Sequence, residues 1–291
     1  MDFRQYGGTK GNSVCHYLIE FINFILHQQE TESTAVLACL VDFAKAFNRQ
    51  DHHILITKLS DTGVPGWLLK IVISFLQERS MKVKYKGKYS NLFSLPGGGP
   101  QGTLLGLFPF LVLINDAGYN GQENNIGELI TSKKKIKEMN VIHLKYVDDL
   151  TLAESIDMAS QLSPVSLVDR PQPDTFRART GHKLNIQTSK VYKELKEIQA
   201  YAEQNKMKLN IPKTKLMLFN PCRTKNFMPE LVIEKTRVDL VERTNLLGVI
   251  QSSNLSWEDN RDFVQRCTSK IWILRKLKKL GASPDYLMES F

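Results

Sequence analysis

Several features that would fix the class of this chain at once are scarce or missing. Its four cysteines, Cys15, Cys39, Cys222 and Cys267, are scattered. They lack the paired spacing of a zinc site, which points to a reduced, intracellular chain with structural thiols. His52 and His53 stand beside no matching His, Cys or acid spacing and read as polar residues at a helix start. No apolar run approaches the ~20 residues of a membrane span. The longest, Leu104 to Ile114, is short and contains Pro109. The opening MDFRQYGGTKG carries no secretion-signal pattern. These absences leave the nucleus or the cytoplasm as the expected location, with no membrane partner. Acids are also in the minority, 30 against 39 Lys plus Arg, a net charge of +9. That balance favours solubility and suits a polyanionic partner.

What the 291 residues do contain is a hydrophobic fraction of 42%, enough to bury an ordinary core. Val14 to His27 has the apolar spacing of a helix buried on more than one side, with Asn12 or Ser13 to cap it. Thr34 to Asp42 is a nearly unbroken apolar run ending in an acid, which predicts a central strand buried on both faces. An Asp at that position either caps the next turn or stands at the rim of a sheet where chemistry is done. His52 to Leu59 and Trp67 to Leu76 read as helices separated by Gly63-Val64-Pro65-Gly66. Met81 to Leu95 alternates, with Lys82, Lys84, Lys86 and Lys88 on one side and Val83, Tyr85 and Tyr89 on the other. Such a lysine comb either guards an edge strand or tracks phosphates.

Pro96-Gly97-Gly98-Gly99-Pro100-Gln101-Gly102 feeds a helical pattern from Thr103 to about Asp116. A loop of this kind lets backbone N–H groups approach a ligand closely, although no phosphate-loop or dinucleotide fingerprint is present. Gly121 to Asn140 is polar and reads as loop. His143 to Asp148 then alternates up to two adjacent carboxylates, Asp148 and Asp149, before Leu150-Thr151-Leu152 leads away. That is a tight hairpin with acids at its tip, and alternation puts Tyr146 and Asp148 on one face. Paired acids repel one another and stay ionised most readily with a cation on them. About 159–188 reads as an irregular surface insertion. Lys190 to Met207 is an amphipathic helix, Leu216 to Phe219 a strand, Leu231 to Leu240 a hairpin and Asn245 to Gln251 a strand. From Asp259 to Phe291 a basic helix bears Lys270, Arg275 and Lys276.

The order of these features resembles the reverse transcriptases of non-LTR, LINE-type (jockey-like) retrotransposons. Val41-Asp42-Phe43-Ala44-Lys45-Ala46-Phe47 looks like the first catalytic motif, and Gly99-Pro100-Gln101-Gly102-Thr103-Leu104-Leu105-Gly106 like the second. Tyr146-Val147-Asp148-Asp149 is similar to the third. Leu209-Asn210-Ile211-Pro212-Lys213-Thr214-Lys215 resembles the fourth, and Leu246-Leu247-Gly248-Val249 the fifth. The resemblance implies an α+β right-hand polymerase: an antiparallel palm sheet with helices on one face, partial fingers and the start of an α-helical thumb. It would divide as 1–30 fingers remnant, 31–250 palm and 251–291 thumb.

It also implies RNA-directed DNA synthesis, with dNTPs, an RNA template and a DNA primer as partners. Asp42 and Asp148, with Asp149 accessory, would hold two Mg²⁺ ions, or Mn²⁺. Phe47 would exclude a 2′-OH, and Phe43, Gln101, Gly102 and Tyr146 would border the nucleotide. Lys213 would give a proton to the departing pyrophosphate, with Lys215 as the fallback. Leu247 and Gly248 would grip the primer, and Lys270, Arg275 and Lys276 would lie along the duplex. The first motif ends in Asn48 where the family often has Asp, and Leu107-Phe108-Pro109 replaces its usual Gly-Pro, which suggests a bent helix. Met1 to Gly8 resembles the tail of the fingers. The basic residues expected to clamp the triphosphate, and the endonuclease of such elements, would belong to a longer element protein. A second reading is a catalytically weak remnant that keeps the fold and binds nucleic acid. A third, an RNA-dependent RNA polymerase, is disfavoured by Phe47.

Overall fold

The computed structural model describes residues 2, 4–30, 34–100, 102–118, 140–157, 182–184, 189–220 and 227–281. In chain order, helix α1 (Val14–Gln28) is followed by strand β1 (Thr34–Val41) and helices α2 (His52–Asp61) and α3 (Gly66–Leu76). Short strands β2 (Ser80–Met81), β3 (Lys84–Tyr85), β4 (Lys88–Tyr89) and β5 (Phe93–Ser94) precede helix α4 (Leu104–Ile114). Next come β6 (Val141–Tyr146), β7 (Asp149–Asp157), β8 (His182–Leu184), α5 (Lys190–Gln204) and β9 (Lys215–Phe219). Strands β10 (Phe227–Pro229), β11 (Val232–Ile233), β12 (Thr236–Arg237) and β13 (Asp239–Leu240) lead to β14 (Arg243–Leu246), β15 (Val249–Ser252) and α6 (Arg261–Lys279). The loop expected at Gly121 to Asn140, apart from Asn140 itself, and most of the expected 159–188 insertion lie outside the described residues. Of the insertion, β8 pairs in parallel with β10.

One five-stranded sheet, in the order β13-β9-β1-β7-β6, carries the fold. Its central strand is β1, antiparallel to both β7 and β9. The apolar run that predicts a doubly buried strand is therefore where it should be, and alternate residues point to two different layers. Ala35, Leu37, Cys39 and Val41 pack in one core with Leu55, Phe110, Leu113, Leu195 and Ile198 of α2, α4 and α5. On the other face lies α1, whose buried Phe21 meets Phe219 of β9 edge-on at 5.9 Å. The Tyr17 hydroxyl of α1 hydrogen-bonds Thr151 of β7 at 2.5 Å. The α+β class is as expected. The helices, expected on one face, cover both, because the sequence supplies apolar side chains on both faces of β1.

Polar side chains set the helix starts. Ser13, Asp51, Thr103 and Ser189 each accept a hydrogen bond from a backbone N–H in the first turn of α1, α2, α4 and α5. The α5 terminus is also met by the buried Glu154 of β7, whose carboxylate accepts from Lys190 N at 2.6 Å and Val191 N at 3.3 Å. Burial raises the Glu154 pKa, and these backbone N–H groups pull it back part of the way. Helix α4 runs through Pro109 without ending. Its buried residues Phe110 to Ile114 sit in the core and offset the missing backbone bond. Among the described residues, no helix is long and apolar enough to cross a membrane.

The chain forms two compact units, Met1–Val241 and Glu242–Phe291. In the second, the stretch expected as a single strand from Asn245 to Gln251 is a β14–β15 hairpin turning at Leu247-Gly248, both at positive φ (52° and 85°). A left-handed pair of this kind reverses the chain, and Asn245 Oδ1 secures it by accepting from Gly248 N at 2.9 Å. The basic helix α6 is described as far as Lys279.

Candidate active site

β1 delivers Asp42 to the rim of the sheet. The β1–β7 register ends at Val41 opposite Leu150. Asp42 follows the last paired residue of β1, at the end of the sheet where β7 begins with Asp149. Asp148 belongs to the turn between β6 and β7, which closes with Tyr146 paired to Asp149. Alternation therefore does not carry through this tip as the sequence suggests. Val147 at φ 58° interrupts it, and Asp42 acts on both Asp148 and Asp149.

A β-branched residue in the left-handed region costs about 1–3 kcal/mol and persists only when its surroundings hold it there. What holds Val147 is the N-terminal segment. Gln5 is buried, and its Oε1 accepts from Val147 N at 2.9 Å and from Gly7 N at 3.0 Å, while its Nε2 donates to Val147 O at 3.4 Å. Tyr6 N donates to Lys145 O at 2.8 Å and Lys145 N to Arg4 O at 2.9 Å, so the segment runs along β6 as a parallel edge. Gly7 lies so close beneath the tip that a Cβ there would fall 2.6 Å from Val147 N.

Behind the hairpin, the buried Lys145 ammonium is met by Asp2 at 2.8 Å and by Asn115 O at 2.8 Å. Arg4 joins Asp2 at 3.0 Å. Burial lowers the Lys145 pKa, and the Asp2 carboxylate opposes that. For Asp2, burial works upward, and Lys145 and Arg4 outweigh it and hold the carboxyl below its usual range.

The acids at the tip behave in the opposite way. Burial raises the Asp148 pKa, and the Asp42 charge adds to the shift. Asp149 is pushed up to about 6 by burial, then by Asp148 and Asp42. Asp148 thus feels Asp42, and Asp149 feels both, with no cation of the protein among the causes of either shift. Among the described residues, no three His, Cys, Asp or Glu side chains already close into a metal-ligand cluster. The donor chemistry nevertheless fits a hard divalent ion, since these are carboxylate oxygens whose repulsion a cation would relieve.

The turn after Leu209 is stapled to the same strand end. Asn210 N donates to Asp42 O at 2.8 Å, and Asp42 N donates to Thr214 Oγ1 at 3.4 Å. Ala44 N bonds to Lys208 O at 2.7 Å. Lys213 sits exposed on this turn. Lys215, the fallback proton donor, contacts Asp239 at 2.8 Å and Pro212 O at 2.8 Å.

Phe47 stacks on Phe110 of α4, centroids 4.4 Å apart and planes 25° from parallel. Phe43 is 4% exposed and belongs to the core, so its side chain does not border a substrate as expected; only its backbone remains for that. The strand-like continuation of β1, bridged to Leu209, turns it inward. Tyr146 packs edge-on against Tyr17 at 6.2 Å. Gln101 lies outside the described residues, and Gly102, at φ 84°, borders open space.

The glycine loop has a different use from the one its composition suggests. Gly98 N donates to Gln50 O and Gly99 N to Phe47 O, so these donors are spent on the turn that follows Asp42. A Cβ on Gly98 would fall 2.9 Å from Asn48 O. The close approach is of backbone to backbone. Beside it, Gln50 is 1% exposed, and neither polar atom of its side chain has a partner among the described residues.

In the second unit, Leu247 is partly buried and Gly248 exposed at the hairpin turn. On α6, Arg275 and Lys276 are exposed, and the Lys276 ammonium lies 4.9 Å from the Trp272 ring centre. The Lys270 side chain is outside the described residues.

Sequence reasoning misses Gln5, Gly7, Thr214 and the Asp2–Lys145 pair. Only Lys145 leaves a trace, as a charged residue in an otherwise buried strand that needs an acid from elsewhere. No comparable signal marks Gln5 or Thr214, whose roles depend on what folds against them.

No protein-family model matches the chain. It is similar to the RNA-directed DNA polymerase from mobile element jockey of Drosophila melanogaster, 30% identical over 155 residues, which is 52% of this chain and 16% of that protein. The chain thus spans a small part of the relative's length. This match bears out the resemblance carried by the motifs. Among solved structures, apo telomerase from Candida tropicalis, truncated from its C-terminal domain, has a TM-score of 0.46 and 11% identity, covering 87% of this chain and 40% of that one. Telomerase from Candida albicans in complex with a TWJ fragment of telomeric RNA has a TM-score of 0.44 and 12% identity, covering 84% and 36%.

Proposed function

We propose that the chain is the palm-bearing part of an RNA-directed DNA polymerase that adds dNTPs to a DNA primer on an RNA template. The observation that carries this reading is the meeting of Asp42, Asp148 and Asp149, where Asp42 raises the pKa of both hairpin acids and Asp148 that of Asp149, with the Lys213 turn hydrogen-bonded to the Asp42 backbone. The jockey relative supports it.

Asp42, Asp148 and Asp149 are the carboxylates that would hold two Mg²⁺ or Mn²⁺ ions. Bound there, such ions neutralise charge on the attacking and leaving oxygens. In the transfer, the primer 3′-hydroxyl gives up its proton to solvent and its oxygen bonds to the α-phosphorus as the bond to pyrophosphate breaks. Lys213 gives the departing pyrophosphate a proton, and its positive charge favours the same moment. Phe47, fixed by Phe110, stands five residues beyond Asp42 as the block against a 2′-OH. Gln101, Gly102 and Tyr146 border the nucleotide. Leu247 and Gly248 contact the primer, and Lys270, Arg275 and Lys276 contact the duplex backbone.

Primer extension on an RNA template tests the reading. Asp42→Ala or Asp148→Ala should abolish extension, and Lys213→Ala should slow it by about 100-fold. Phe47→Ala should admit ribonucleotides. Extension that survives the loss of both Asp42 and Asp148 overturns the mechanism. A folded wild-type chain that binds primer-template and adds no nucleotide overturns the activity.

A further inference from the structure

The β2–β5 segment is left over by this reading. Between Ser80 and Ser94 it carries Lys82, Lys84, Lys86 and Lys88 and no acid. The one-sided comb expected from alternation is not what forms. β3 and β4 turn over Lys86-Gly87, at φ 46° and 79°, and pair Lys84 with Tyr89 and Tyr85 with Lys88. Directly opposed residues share a face, so each face presents one lysine beside one tyrosine.

Neither face is covered. Tyr85 is 71% exposed, Tyr89 56% and Phe93 53%. Ammonium groups sit over the rings: Lys82 lies 4.5 Å from the Tyr89 centre, and Lys86 5.5 Å from that of Tyr85. A two-stranded hairpin with no packed face is marginal alone, and this one is fastened at its base. Leu95 N donates to Arg79 O at 2.8 Å, and the Arg79 guanidinium donates to Gly98 O at 2.6 Å, tying the stem to the glycine loop.

Lysines alone would suffice to keep an edge strand from pairing. They do not account for an exposed aromatic on each face. A membrane surface calls for an apolar side or tip free of charge, whereas here the tip is Lys86-Gly87 and every tyrosine has a lysine beside it. The partner that needs alternating flat apolar surface and positive charge is a polyanion with unstacked bases. In a duplex the base faces are already stacked on one another.

We propose that the Ser80–Ser94 hairpin is an arm that binds single-stranded nucleic acid, with Tyr85 and Tyr89 stacking on bases and Lys82, Lys84, Lys86 and Lys88 meeting phosphates. It does not require the carboxylates, so it stands or falls apart from the polymerase reading.

The test uses the whole chain in chelator, with labelled U20 RNA and dT20 DNA read by fluorescence anisotropy across a salt series. Tyr85→Ala and Tyr89→Ala should each weaken binding roughly tenfold and leave the salt slope unchanged. Tyr85→Phe and Tyr89→Phe should bind as wild type, since the ring is kept. Lys84→Gln and Lys88→Gln should each lower the salt slope by about 0.7. Equal loss on both probes assigns the arm to single strands in general, and loss on U20 alone assigns it to RNA; both support the proposal. Alanine variants that bind both probes like wild type overturn it. So does loss of binding to anionic phospholipid vesicles with U20 binding intact.

Discussion

The β6–β7 and β3–β4 hairpins both turn over two residues, the first a non-glycine in the left-handed region, Val147 at φ 58° and Lys86 at φ 46°. The first tip lies in the five-stranded sheet, with Gln5 and Gly7 pressed beneath it. The second stands in solvent on every side, with nothing within 4 Å of where a Gly87 side chain would begin. The first tip is half-buried, and its surroundings hold Asp148 and Asp149 side by side in a fixed arrangement. An exposed arm holds no such arrangement, but its side chains are free to follow an irregular partner. One local geometry thus serves for fixed placement in one hairpin and for adaptable contact in the other.

A methyl group separates the two most sharply. Gly7→Ala forces a Cβ against Val147 N and should destabilise the chain by about 3 kcal/mol, read as a lower urea midpoint. Next in size is Gln5→Ala, which strips the partners from Val147 and Gly7. A loss of about 2 kcal/mol is expected, with primer extension falling further than stability does. Gly87→Ala meets no neighbour and strains only its own positive φ. It should cost about 1 kcal/mol, confined to faster amide exchange between Ser80 and Ser94. If Gly7→Ala and Gly87→Ala cost the same, the contrast between the hairpins fails.

The last effect has the opposite sign. With its pKa raised to about 6 from 3.8, Asp149 favours the unfolded state when ionised. The penalty is full above pH 6 and disappears as pH falls toward 4. Allowing for solvent screening at this partly exposed group, Asp149→Asn should therefore stabilise the metal-free chain by about 1 kcal/mol at pH 8, with little gain at pH 4. Thermal unfolding in chelator at the two pH values measures it, and a destabilised variant at pH 8 would contradict the electrostatic picture.

How much of this was legible in the sequence differs along the chain. β1 and its terminal acid could be read directly, because a run such as Thr34 to Val41 has few other places to go. The carboxylate hairpin was equally plain, since two acids interrupt an alternating pattern. The break at its tip was not, because alternation presumes a regular backbone and Val147 sits at positive φ. The lysine comb misled for a related reason: a two-residue turn sets which side chains share a face, and composition does not reveal the register. Glycine density suggested ligand contact at Gly97 to Gly99, where the approach is to the protein's own turn at Phe47 to Gln50. Gln5 and Thr214 act through contacts across the whole fold, to Val147 and to Asp42, which no local pattern records.

Asp42, Asp148 and Asp149, gathered at one sheet rim, are proposed to hold a divalent cation. Titration of the chain with Mn²⁺, followed by the electron paramagnetic resonance of the free ion, tests it most directly. Uptake by the wild type should weaken as pH falls through about 6 and be lost in Asp42→Asn/Asp148→Asn. Undiminished uptake by that double variant would contradict it.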